Sequence, residues 1–207
     1  MSSVEPELGR RTQEARSAAT QQKLAKAAFD IIRSEGYASF RVAAVAKEAG
    51  VSQGGQLHHF PTKDLMTMAA IDYAISIARA RTDRNLAAYD GRQDVVSAIA
   101  QDSAEYYYSA SFDVAMDVTK SASGNPGLRR QIARAHRAYR EHAEQGWLDV
   151  LLAEGWSRQD GEDLIAMTAS LVRGFAIRAM IRPDNDELER LILRWREMVA
   201  LYFGGPG

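Results

Sequence analysis

The sequence contains no cysteine, which excludes disulfides and thiolate metal sites. It has no run of about eighteen apolar residues, so a membrane span is not expected. Polar residues, among them Glu5, Glu7, Arg10 and Arg11, precede any hydrophobic stretch, so no secretory signal is expected and the cytoplasm is the expected location. Charge of one sign is also lacking. The net value is −1, which gives no general reason to expect nucleic-acid binding. His136 and His142 stand six apart without an i, i+4 partner, so no metal site is expected. No nucleophile motif, phosphate loop or metal constellation accompanies the histidines, which argues against an enzyme. No cofactor is expected.

The apolar fraction of 46% over 207 residues is ample for a core. Its spacing is helical throughout, with no convincing strand, internal repeat or low-complexity segment. The expected fold is therefore all-α. A first helix is predicted from about Ser17 to Glu35, after a polar arm whose Arg10, Arg11 and Arg16 suit either a solvated tail or a minor-groove contact. Later helices are predicted over about 63–89, 92–122, 128–154, 157–181 and 185–203, punctuated by glycine, proline and capping residues. Residues 1–66 hold nine Lys/Arg against seven Asp/Glu, a weak excess that leaves any DNA affinity to a few well-placed cations.

The most informative stretch is RVAAVAKEAGVSQGGQLHHFPTK, residues 41–63. Val42, Val45, Ala46 and Ala49 fit one short amphipathic helix, and Gly50 permits a sharp exit from it. Ser52 is placed to cap a second helix over Gln53–His59. Helix, glycine turn and polar second helix describe a helix-turn-helix, whose second helix can enter a DNA major groove. On that helix Gln53 and Gln56 have the paired donor and acceptor that adenine requires, and His58 and His59 can bond to a base or a phosphate. Gly54 and Gly55 would let the backbone approach the duplex. His59 could equally hold Phe60 and the turn together, and Tyr37 suits the core of this unit more readily than a phosphate contact. Lys63 opens the next helix, where a cation opposes the macrodipole and an anionic partner would compensate it.

These residues resemble the DNA-binding domain of the TetR family of bacterial transcription regulators. The resemblance runs from Leu24 to Leu65 through Ala27-Ala28, Gly36-Tyr37, Val45-Ala46-Lys47, Ala49-Gly50-Val51-Ser52 and His59-Phe60-Pro61-Thr62-Lys63-Asp64-Leu65. It implies an N-terminal three-helix DNA-binding domain over 1–66 and a larger helical ligand-binding and dimerisation domain over 67–207. DNA contacts are then expected from Arg41, Ser52, Gln53, Gly54, Gly55, Gln56, His58, His59 and Lys63. The chain departs from the family pattern at Gln56-Leu57, at Arg41 and at Ala43, where Arg is common. Gln56-Leu57 stands where a Leu-Tyr pair is usual, and Arg41 stands where a capping Ser or Thr is usual.

The resemblance also implies a homodimer, a near-palindromic operator with half-sites about 34–36 Å or multiples apart, and a small-molecule effector. The dimer interface is expected on the last two helices at Leu164, Thr168, Leu171, Phe175, Leu188, Leu191, Ile192, Trp195 and Val199. A mostly apolar effector would meet Tyr107, Tyr108, Phe112, Met116, Tyr139, Trp147 and Phe175, with Tyr106 on the same predicted helix. The function this implies is a ligand-responsive repressor. The alternative is a helical protein-binding adaptor that has lost operator binding.

Overall fold

The structure is a computed structural model describing residues 5–182 and 185–203; for 5–12, 185 and 186 only the backbone is described. Among the described residues all regular structure is helical. The α-helices are α1 (Glu5–Glu35), α2 (Val42–Glu48), α3 (Gln53–His59), α4 (Lys63–Ala88), α5 (Val95–Tyr107), α6 (Ala110–Ser121), α7 (Pro126–Ala153), α8 (Arg158–Ala179) and α9 (Asn185–Phe203). The all-α expectation, with its N-terminal helix-turn-helix, is borne out. None of these helices is long and apolar enough to cross a membrane.

Two expectations change. The helix from Glu5 to Glu35 replaces the predicted start at Ser17, so Arg10, Arg11 and Arg16 belong to a helix rather than to an arm. The side chains of Arg10 and Arg11, like Pro183 and Asp184, lie outside the described residues. The single helix expected over 92–122 is instead α5 and α6. Ser109 makes the break: its Oγ donates to the Tyr106 carbonyl at 2.7 Å and accepts from the Phe112 N–H at 3.4 Å. A serine that offers the backbone local alternatives in this way ends one helix and starts the next.

The chain divides into two compact units, residues 1–75 with 114–135 and residues 76–113 with 136–207. In the first, Leu24, Ala28, Ile32, Phe40, Val45, Met66 and Ile71 are buried with Val118, Leu128 and Ile132. Gly36 closes α1 at φ +77, a conformation that β-carbon-bearing residues rarely adopt. The next N–H, that of Tyr37, donates to the Asp117 carboxylate at 2.6 Å. Tyr37 itself is buried, with its hydroxyl 3.3 Å from Thr67 Oγ1, which makes it a core residue. Asn125 donates to Asp64 at 2.7 Å and accepts from the Leu128 N–H, capping α7 ahead of Pro126.

The second unit is built on Val95, Val96, Ile99, Trp147, Leu148, Leu151, Leu164, Ile165 and Val199, with Leu86, Tyr89 and Trp195 packed against them. Gly161 lets α8 come close here, because a β-carbon on it would lie 2.9 Å from Leu148 Cδ1. A polar cluster sits within this unit. The Asp102 carboxylate accepts from Thr82, Asn85 and Trp147 at 3.2, 2.7 and 3.0 Å. Thr82 has given its proton to Asp102, so the neighbouring Tyr139 hydroxyl, 3.3 Å away, donates to Thr82. All three tryptophans of the sequence, at 147, 156 and 195, belong to this unit.

Candidate nucleic-acid interface

The helix-turn-helix is fixed by backbone bonds that its sequence requires. Gly50 N–H reaches the Lys47 carbonyl and Val51 N–H reaches the Ala46 carbonyl, the paired bonds of a Schellman ending, with Gly50 at φ +64. Ser52 then accepts from Gly55 N–H at 3.1 Å as the cap of α3. Gly55 is tightly placed within α3, since a β-carbon there would lie 3.2 Å from both Ser52 Oγ and Val51 Cγ1. Gly54 is not: a β-carbon on it would meet nothing within 4 Å.

The structure sorts the expected DNA-contact residues into two groups. Gln53, Gly54 and His58 are exposed, together with Leu57, and fall on one side of α3. Gln56 turns the other way. It is 1% exposed, and its amide donates to the Phe60 carbonyl at 2.6 Å, closing the end of α3. The adenine contact expected of Gln56 is therefore replaced by a structural role, because position 56 lies opposite the exposed side of so short a helix. His59 is half-buried and its ring lies 5.2 Å from that of His58.

Two cations flank α3. Arg41 stands at the start of α2 without capping it, and its Nη1 donates to the carbonyls of Ala38 and Phe40, each at 3.0 Å. Lys63 begins α4 with its ammonium 4.6 Å from the Tyr37 ring centroid and 5.6 Å from that of Phe40. Among the described residues neither cation forms an ion pair. The Lys63 pKa is lowered, first by partial burial and then by the charge of Arg41. The neighbouring Asp64 carboxylate acts in the opposite direction.

The residues expected at the effector site do not form one group. Tyr107, Phe112 and Tyr139 gather around Tyr106, with ring centroids 4.7 to 5.7 Å from it. The Tyr106 hydroxyl lies 3.2 Å from His136 Nδ1. Burial raises the pKa of Tyr106 and pushes that of Tyr139 up to about 12, and it lowers that of His136. Burial also raises that of Asp102, against the opposing pull of its three hydrogen bonds. Trp147 donates to this carboxylate and packs in the core, whereas Tyr108 is largely exposed and Phe175 lies under the Arg178 guanidinium. Met116 is half-buried and belongs to the first unit. Sequence reasoning placed Tyr106 on the expected effector helix but left out Asp102. Asp102 had a signal, an acid within the apolar run of α5.

The expected interface stripe is likewise divided. Leu164, Thr168 and Val199 are buried in the chain's own core, so they are not available to a partner. Leu171, Phe175, Leu188, Leu191, Ile192 and Trp195 are half-buried, and the Trp195 indole donates to Thr168 at 2.9 Å. The face left open on α8 and just past its end carries Met167, Ser170, Gly174, Ile177 and Ile181, spaced three and four apart; Ile181 is 86% exposed. On α9 it carries Met198, Leu201 and Tyr202, with Leu201 87% exposed. Both helices thus use one side for the core and leave a second apolar side uncovered.

Residues 24–70 match the model of the tetR family of bacterial regulatory proteins. Over 182 residues the chain is 37% identical to the HTH-type transcriptional regulator CymR of Pseudomonas putida, covering 88% of this chain and 90% of that one. Among solved structures it is similar to a transcriptional regulator of Rhodococcus (TM-score 0.65, 24% identity, 87% of this chain and 96% of the other). It is also similar to a regulator of Pseudomonas aeruginosa (TM-score 0.65, 19% identity, 92% of each chain). The chain belongs to the tetR family of bacterial regulatory proteins and is a DNA-binding transcriptional regulator, not an enzyme.

Proposed function

We propose that the protein is a cytoplasmic, homodimeric repressor that binds a near-palindromic operator and is released by a small, mostly apolar effector. The observation that carries the DNA side of this reading is the uncommitted face of α3, flanked by two cations that form no ion pair among the described residues. Gln53 and His58 supply donors and acceptors for base edges. Arg41 and Lys63 supply phosphate contacts, which set the position and most of the affinity. Gln56 and Ser52 act behind that face by holding α3 in place.

The homodimer would form through the open sides of α8 and α9. Ser170 and Gly174 keep the middle of the α8 stripe small, so a second copy of the same helix can approach closely. The effector would lodge beside Tyr106, Tyr107, Phe112 and Tyr139, where ring faces suit an apolar body and the hydroxyls and His136 offer polar handles. To convert a 1:99 population of released to bound form into 99:1, it must favour the released form by about 5.5 kcal/mol.

The test is selection of purified full-length protein on randomised duplex DNA at two salt concentrations. The expected result is a palindrome whose binding weakens steeply with salt and is reduced by Gln53→Ala and by Lys63→Ala. A folded dimer that enriches no duplex would overturn the reading.

A further inference from the structure

Leu57 is a large apolar side chain that the protein only half covers. It is 50% exposed, one turn along from Gln53 on the open side of α3, while the inward position of that turn is filled by Gln56. Its neighbours on the open side, Gln53, Gly54 and His58, carry no apolar surface for it to cover. An isolated exposed leucine is ordinary on a protein surface, but the major groove offers few things that an apolar side chain can meet. Base edges there present nitrogen and oxygen atoms, with one exception among the ordinary bases, the C5-methyl group of thymine. Gly54, three residues before Leu57, adds access. Its missing side chain is not required by any internal contact, since a β-carbon would enter open space. The helix can therefore sit deeper at this turn than a larger residue would allow.

We infer that Leu57 is a specificity-determining residue that reads a thymine methyl group in each operator half-site. The inference rests on α3 entering the major groove, and it adds to that reading the chemical feature recognised. Glutamine and histidine alone select by hydrogen bonds. Leu57 makes the site sensitive to a methyl group that no hydrogen bond reports.

Deoxyuridine, which differs from thymidine only by lacking that methyl, isolates the contact. The full-length protein is first used to select a duplex, and each thymine of that duplex is then replaced in turn by deoxyuridine. One symmetry-related pair of positions should stand out, with affinity falling about threefold to fivefold for one half-site and about tenfold or more for both, as loss of one buried methyl implies. Leu57→Ala should bind the thymine duplex more weakly and be indifferent to the replacement. Its thermal midpoint should match that of the parent, because the side chain is outside the core. Equal binding of thymine and uracil duplexes at every position would overturn the inference while leaving groove binding intact. So would a Leu57→Ala protein that keeps the full methyl dependence. Failure to enrich any duplex in the first step would instead remove the groove reading itself, and this inference with it.

Discussion

The backbone N–H of Tyr37, in the turn after α1, donates to the carboxylate of Asp117 on α6, eighty residues later. A charge-assisted bond to a part-buried amide ties α6 to the same unit as the helix-turn-helix. Asp117→Ala removes the acceptor and leaves that N–H without one. The expected cost is about 1–3 kcal/mol, read as a lower urea midpoint by circular dichroism. Asp117→Asn, which keeps an acceptor oxygen, should recover much of it.

Gly54 separates folding from recognition. Gly54→Ala should stabilise the protein by about 0.5–1 kcal/mol, because the helix gains a better former and no atom is crowded. Operator affinity should fall at the same time, since the added methyl stands between helix and duplex. Gly55→Ala provides the contrast. Its β-carbon meets Ser52 and Val51, so it should bring no such gain in the thermal midpoint.

Lys63 is expected to act through phosphate. Lys63→Gln should weaken all duplexes by a similar factor rather than alter base preference. The slope of log K against log salt should become shallower by about 0.9 for each phosphate no longer neutralised, or about twice that for a dimer. A changed preference with an unchanged slope would show that Lys63 reads bases instead.

His136 predicts an acid limit to stability. Burial lowers its folded-state pKa below the ordinary value of 6.5, so on acidification the unfolded chain takes up the proton first. Stability must then rise with pH across the interval between the lowered pKa and about 6.5, and fall as the pH drops through it. Urea titrations of the parent and of His136→Gln over this interval should show a shallower pH dependence in the variant.

The two sides of α8 should respond differently to substitution. Leu164→Ala opens a cavity in the second unit and should cost about 2–5 kcal/mol in stability. Gly174→Trp fills exposed space on the other side, where a β-carbon meets nothing within 4 Å. It should leave the helical content unchanged, shift the species seen by sedimentation from dimer to monomer, and reduce operator affinity accordingly.

The local grammar of the sequence identified most of the helices. The glycine exit at Gly50 and the cap at Ser52 depend on nearby residues, so short-range reasoning reaches them. Side-chain direction was less accessible. Gln56 and Gln53 are chemically identical on paper, and only the packing around Phe60 turns one inward. On α8 and α9 nearly every third or fourth residue is apolar on two sides, so periodicity alone does not tell the core side from the open one. Leu164 and Val199 were consequently expected at an interface that their burial rules out. The grouping of residues 114–135 with the first 75 arises from contacts such as Tyr37 with Asp117, which no local pattern encodes.

The placement of the three tryptophans gives the molecule an optical asymmetry. Trp147, Trp156 and Trp195 all lie in the second unit, and their surroundings differ: one indole bonds to a buried carboxylate, one bonds to a threonine, and one packs against Phe203. Indole emission therefore originates wholly outside the unit that contains α3. Its wavelength and quenching report the state of the aromatic-rich unit without a background from the DNA-reading helices, whose aromatic emission comes from tyrosine and phenylalanine alone.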